Sequence, residues 1–230
     1  MKKKLVVLSG AGISAESGIK TFRDSGGLWE GHDVKEVATP EAWRKNSELV
    51  QKFYNERRKQ ANECLPNKAH TILAELEEHF EIKIITQNVD DLHERAGSTN
   101  VTHLHGQLTK AQSSIDPSLV YDLEHWEIKM GDLCEKGSQL RPHIVWFGEP
   151  VPMIEKAIEI TEKADYFLVI GTSLQVYPAA GLLDFTASNC KIYLIDPNIP
   201  NSNFGNRIYP ILEKATVGIE IFKNSILENI

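Results

Sequence analysis

Four apolar residues, Leu5-Val6-Val7-Leu8, lead directly into Ser9-Gly10-Ala11-Gly12. This junction narrows the choice of fold more than any other stretch of the chain. A short strand that is apolar at every position needs cover on both faces. A glycine-rich turn running on into helix-compatible residues supplies the first strand–turn–helix unit of a layered domain. Strand-sized runs recur at Ile82–Ile85, Val101–Leu104, Ile144–Trp146, Tyr166–Ile170 and Ile192–Ile195. Helical patterns fall between many of them, at Ser47–Cys64, Lys68–Phe80, Val151–Lys163 and Pro178–Ala187. Alternating strands and helices imply an α/β domain: a Rossmann-like parallel sheet with helices on both faces. Two stretches break the rhythm, residues 21–67 and 107–141. They are expected to form a small second lobe, with the large lobe built from about 1–20, 80–106 and 143–230. The whole, residues 1–230, reads as one domain.

Lys+Arg 25 against Asp+Glu 32 gives a net charge of −7 over 230 residues, which argues against a basic nucleic-acid-binding surface. No apolar run approaches the roughly 20 residues that span a bilayer, so no membrane partner is expected. Met1-Lys2-Lys3-Lys4 precedes an apolar stretch too short for a secretion signal and reads as the charged lead of the first strand. Three widely spaced cysteines, Cys64, Cys134 and Cys190, fit a reducing, cytoplasmic setting.

Gly10-x-Gly12-x-x-Ala15 matches a dinucleotide-binding fingerprint. A hydride-transferring dehydrogenase would continue into a second strand ending in an acid about 20 residues on. The chain gives a loop instead, Thr21-Phe22-Arg23-Asp24-Ser25-Gly26-Gly27. Further on, Thr86-Gln87-Asn88-Val89-Asp90 sets carboxamide and carboxylate groups at a strand's carboxyl end, where ligands bind in this fold class. The alternative for Asp90 is a helix N-cap. His105, at the end of the next strand and before Gly106, is placed for a general base. His103, two residues earlier, is not expected to serve the same pocket, and His32, His70, His79, His93 and His125 receive no role.

Together, Gly10-Ala11-Gly12-Ile13-Ser14, Gly18 to Arg23, Thr86 to Asp90, Leu104-His105-Gly106, Arg141 to Glu149 and Gly171-Thr172-Ser173-Leu174 resemble the motifs of the sirtuins. These are NAD-dependent protein-lysine deacylases. The likeness runs from the first strand to Ala215-Thr216-Val217-Gly218. It implies transfer of the acyl group of a modified lysine to NAD, giving nicotinamide and O-acyl-ADP-ribose, with nicotinamide also an inhibitor. It implies His105 as general base. It implies NAD contacts from Gly10, Ala11, Gly12, Ser14, Ala15, Glu16, Thr21, Phe22, Arg23, Gln87, Asn88, Asp90, Gly171, Thr172, Ser173, Asp196 and Ala215. Phe22 and Arg23 match a flap over NAD. Val145, Phe147, Gly148 and Glu149 match the segment that meets the acyl-lysine peptide, which adds a strand between Gly148–Val151 and Leu174–Tyr177.

Tyr54 and Arg57, three apart in a helical pattern, share a face. This Tyr-x-x-Arg is similar to the signature of sirtuins that remove succinyl and malonyl groups. The alternative is a solvated basic face of Arg57, Arg58 and Lys59 with Tyr54 packed inside. Where most sirtuins carry four zinc-binding cysteines, residues 107–140 hold only Cys134, so no metal is expected. Packing by Val120, Tyr121, Leu123, Trp126, Ile128 and Leu133 is expected to hold that lobe instead. Lys20 and Asp196 also depart from the family pattern, which commonly has Pro and Asn there. Three competing functions remain: a dehydrogenase, an NAD or ADP-ribose sensor, and a mono-ADP-ribosyl transferase or NAD glycohydrolase.

Overall fold

A computed structural model describes residues 2–19, 28–29, 31–172, 174, 176–198 and 207–228. In chain order the elements are β1 (Lys4–Ser9), α1 (Gly12–Ala15), β2 (Leu28–Trp29), β3 (His32–Asp33), α2 (Val34–Val37), α3 (Pro40–Lys45), α4 (Ser47–Glu63) and α5 (Lys68–Glu75). They continue as β4 (Glu81–Thr86), α6 (Leu92–Arg95), β5 (Val101–His103), β6 (Gly106–Ser113), β7 (Val120–Asp122), β8 (Leu140–Ile144) and α7 (Ile154–Thr161). Last come β9 (Tyr166–Ile170), β10 (Lys191–Ile195), β11 (Ile208–Ile211) and α8 (Ala215–Leu227).

Six strands form a parallel sheet in the order β11-β10-β9-β1-β4-β5. Alternation along the strands divides its core. Leu5, Val7, Ile82, Ile84, Leu168 and Ile170 face α5 and α8, meeting Leu73, Phe222 and Ile226. Val6, Leu8, Ile85, Phe167, Val169 and Leu194 face the other way, toward α7 and the 3-10 turn Ala179–Phe185. A third apolar core joins Val37, Val50, Phe53, Tyr54 and Ala61 to Leu108, Ile144 and Trp146. It lies where α2 and α4 meet the antiparallel sheet β7-β6-β8.

Helix α4 starts where the Asn46 side chain accepts from Leu49 N–H at 3.0 Å and stops at the extended Cys64, two residues before Pro66. Its buried positions include Val50, Tyr54, Arg57 and Ala61, a helical stripe.

Several expectations change. The run Ile144–Trp146 does not join the parallel sheet: β8 ends at Ile144 and pairs antiparallel with β6. Residues 106–141 contain two strands rather than irregular chain. The region after Pro178 is a 3-10 turn, and β11 and α8 complete the large sheet's layers. Of the six apolar residues expected to hold 107–141, Val120, Trp126 and Leu133 face solvent, Tyr121 and Leu123 are partly buried, and only Ile128 is fully buried. Polar side chains of α4 hold the segment instead. Gln51 and Asn55 donate to the Ile128 carbonyl at 3.1 and 2.8 Å, and Asn55 accepts from Ile128 N–H at 3.0 Å. Arg58 donates to the carbonyls of Leu108 and Trp126. Buried donors matched to buried carbonyls hold a loop where its own side chains provide little apolar surface. Among the described residues no group of three or more His, Cys, Asp or Glu converges as a metal would require, and no helix is long and apolar enough to cross a membrane.

Candidate active site

The chain leaves β1 toward β4 on one side of the sheet, while β9 leads to β10 on the other. The turns after β1 and β9 therefore diverge from neighbouring strands, and such a crevice is where open α/β sheets bind ligands. Gly12 N–H donates to the Gly171 carbonyl at 2.8 Å, and Gly10 N–H to that of Ile170 at 3.1 Å. A Cβ on Gly10 would lie 2.6 Å from Thr172 Cβ, and one on Gly171, at φ +64, would lie 2.2 Å from Ile13 N. The glycines are thus required because the two turns touch backbone to backbone.

Ser14 ties the first turn to the turn after β4. Its hydroxyl donates to Asp90 Oδ2 at 3.1 Å and accepts from Asn88 Nδ2 at 3.1 Å. Gln87 Nε2 donates to Thr172 Oγ1 at 3.1 Å, closing the ring of turns. Asp90 Oδ1 also accepts from Leu92 N–H at 3.2 Å, a local turn just ahead of α6, whose N-cap is Asp91 rather than Asp90. Burial pushes the Asp90 carboxyl up, against the Leu92 and Ser14 hydrogen bonds that favour its charge.

Two histidines given no role on sequence lie beneath this ring. His70 Nδ1 lies 3.3 Å from Asn67 N–H and 3.2 Å from Asn67 Oδ1, and its Nε2 lies 3.5 Å from Ser14 Oγ. Ser9 donates to Thr86 Oγ1 at 2.9 Å, which leaves His93 Nε2 as the donor to Ser9 at 2.9 Å. Burial drives both imidazoles neutral, His70 to about 4 and His93 well below its ordinary value. The only sequence signal for them was position: His70 three residues into the capped helix α5, and His93 just after the Asp90 turn.

His105 Nδ1 lies 3.0 Å from the Gln87 carbonyl and must carry a proton there, leaving the lone pair on Nε2. Burial lowers its pKa, with the Gln87 carbonyl opposing. His103 does not turn away from the site: residues two apart share a strand face, and its Nδ1 lies 2.9 Å from the next carbonyl, that of Asn88.

On α4, Tyr54 and Arg57 are both buried, at 0% and 6% exposure, and so is Arg58, which replaces the solvated-face alternative. Trp146 Nε1 donates to the Tyr54 hydroxyl at 3.1 Å. Burial holds that phenol well above its usual pKa. The Arg141 guanidinium lies 3.7 Å over the Trp146 ring and makes a two-pronged pair with Glu149 at 2.9 and 3.0 Å. Glu149 also accepts from Trp146 N–H at 2.8 Å, so its carboxylate orders its own loop. A cleft of about 290 Å³ is lined by His32, Phe53, Glu56, Arg57 and Gln60. Val145 donates its N–H to the His105 carbonyl at 3.0 Å, while Phe147 is half exposed and Gly148 has φ +92.

Ala15 and Glu16 are exposed, and Glu16 accepts from Thr216 N–H and Oγ1 at 3.0 and 2.9 Å, capping α8 just after Ala215. Ala11 begins the turn into α1. Asp196 closes a local turn by accepting from Asn198 N–H at 2.8 Å. Lys20, Thr21, Phe22, Arg23 and Ser173 lie outside the described residues.

The Sir2 family profile matches residues 10–178, the span that carries these turns. The chain belongs to the Sir2 family. It is 54% identical over 226 residues to the NAD-dependent protein deacylase of Helicobacter pylori, covering 98% of both chains. A mutant Sir2 homologue solved with ADP-ribose superposes with a TM-score of 0.88 at 40% identity, covering 99% of this chain and 93% of that one. A Sir2 homologue solved with NAD gives 0.87 at 40% identity, covering 99% and 91%.

Proposed function

We propose that this Sir2-family chain removes succinyl and malonyl groups, as well as acetyl, from protein lysines, with nicotinamide as product and inhibitor. NAD-dependent deacylation is the activity of the family and of its curated relative over nearly the full chain. NAD, when bound, supplies the ribose carbon that receives the acyl oxygen and the nicotinamide that departs.

The residues fit that cosubstrate. Asn88, Asp90 and Ser14 present an amide, a carboxylate and a hydroxyl at one point, a donor and acceptor set suited to a carboxamide. His105, with Nδ1–H fixed on Gln87, presents Nε2 to take a proton from a ribose hydroxyl. The remaining contacts expected on sequence, including the Phe22–Arg23 flap, belong to the same reading. Glu16 contributes by capping α8, and Glu149 by setting the loop that carries Val145 to Gly148. A cytoplasmic setting accords with three free thiols.

The observation that carries the acidic-acyl reading is the buried Tyr54–Arg57 pair on one face of α4, beside the Arg57 cleft. A buried guanidinium and phenol together recognise a carboxylate, whereas a pocket for acetyl alone needs no cation. The test follows nicotinamide release from one peptide bearing succinyl-, malonyl- or acetyl-lysine, with and without NAD. Turnover that depends on NAD and favours the acidic groups is expected. Tyr54→Phe with Arg57→Met should raise KM for the succinyl peptide and spare deacetylation. Unchanged discrimination would remove the pair from substrate recognition. Nicotinamide release without acyl-lysine would point to a glycohydrolase, and none at all to a sensor.

A further inference from the structure

His103 and His105 sit two apart at the end of β5 and hold successive carbonyls of the same turn, Asn88 at 2.9 Å and Gln87 at 3.0 Å. They differ at the other nitrogen. His103 Nε2 lies 2.8 Å from Glu94 Oε1. Each ring nitrogen of His103 therefore faces an acceptor, a carbonyl on one side and a carboxylate on the other. Only an imidazolium donates from both.

The pair is well placed to act on the turn. Glu94 lies on α6, the helix that begins directly after the Gln87–Asp91 segment, and His103 is registered beside Thr86 on the neighbouring strand. The contact ties the far side of the turn back to the sheet. Asn88 is gripped at both ends, its carbonyl by His103 and its side-chain amide by Ser14. The His103 side chain is 7% exposed and that of Glu94 38%. We propose that His103, held charged by Glu94, is a positioning residue that fixes the Gln87–Asp90 turn and so aims Asn88 and Asp90 at the nicotinamide end of NAD. This rests on the reading of that turn as the nicotinamide site.

The groups facing His103 are Glu94 from α6, Asp90 from the turn, and the His93 and His143 imidazoles. Burial alone would lower its pKa. The hydrogen bond and charge of Glu94, with the Asn88 carbonyl and Asp90, outweigh that and raise it. Losing the proton would set the Nε2 lone pair against a carboxylate and open the pair. A raised pKa puts that loss on the alkaline side of the ordinary imidazole value.

The test has two parts. Imidazole ¹⁵N shifts of the wild-type protein should show both His103 nitrogens carrying protons at neutral pH; a neutral His103 there overturns the proposal. The second part uses variants, with nicotinamide base exchange as readout. His103→Ala should raise KM for nicotinamide about tenfold or more and leave KM for the acyl peptide within about twofold. Glu94→Gln can donate its amide N–H to a neutral His103, so it should keep near-normal exchange while losing the alkaline decline of the wild type. Unchanged nicotinamide affinity in His103→Ala, or an unchanged pH profile in Glu94→Gln, overturns the assignment. A wild type without acyl-lysine turnover would instead sink the deacylase reading, because the imidazole measurement needs no turnover.

Discussion

The indole N–H of Trp146 donates to the Tyr54 hydroxyl across 3.1 Å, with Arg141 stacked on the same indole. A phenol that accepts in this way has its own proton directed elsewhere, so Trp146 sets the direction in which Tyr54 donates. Trp146→Phe keeps an aromatic face for Arg141 and loses the N–H together with some buried ring volume. We expect a stability loss of about 2–3 kcal/mol and a KM for succinyl-lysine peptide raised about fivefold. KM for the acetyl peptide should hold within about twofold. Paired kinetics on the two peptides and a urea melt check both.

Gly171→Ala tests the contact of the two turns. Its Cβ would lie 2.2 Å from Ile13 N at a φ of +64, so about 2–4 kcal/mol of destabilisation is expected, with weakened NAD binding. Gly181→Ala is the control: only the Tyr177 ring lies nearby, at 3.7 Å, and the change should stay within about 0.5 kcal/mol. Calorimetric NAD titration beside denaturant melts separates the two.

His105 acts as a base only when neutral, and burial lowers its pKa from the ordinary value. The acid limb of kcat/KM for acyl peptide should therefore lie below about pH 6.5. A limb at or above that value would assign the limiting base elsewhere.

His70 and His93 are buried neutral, so the unfolded chain binds protons that the folded chain refuses. Stability contributed by neutral His70 is complete above the unfolded value near pH 6.5 and declines as pH falls toward about 4. Each histidine steepens the fall by about 1.4 kcal/mol per pH unit in that window. Urea melts from pH 7 to 4.5 should show the slope, and His70→Gln should reduce it.

Asn55→Ala removes both hydrogen bonds to Ile128 and the acceptor for Arg58 Nη1 at 2.8 Å. Loss of about 2–3 kcal/mol is expected, with faster amide exchange and proteolysis across residues 114–139. Lys52→Ala, which breaks only an exposed pair with Glu56, should leave that segment protected.

Local pattern read well where one element decided the outcome. The continuous apolar runs of β1, β4, β9 and β10 and the capped stripe of α4 were legible because burial on both faces, or on one helical face, leaves a periodic trace. The turns at Gly10, Gln87 and Gly171 were legible as motifs. What was not legible depends on pairing across distance. β11 carries Pro210 at a sheet edge and looks like a turn by itself. The α4 clamp on Ile128 is invisible because carbonyls accept without any sequence mark. His103 was misjudged because residues two apart share one face of an extended chain, so both rings meet the turn after β4.

The bond from Glu16 to Thr216 joins positions 200 residues apart. For a chain emerging N-terminus first at the ribosome, the glycine turn is among the first segments made, yet its flank lacks this partner until α8 has been synthesised. That flank of the first turn is thus secured late in the life of each molecule, only once translation has passed α8.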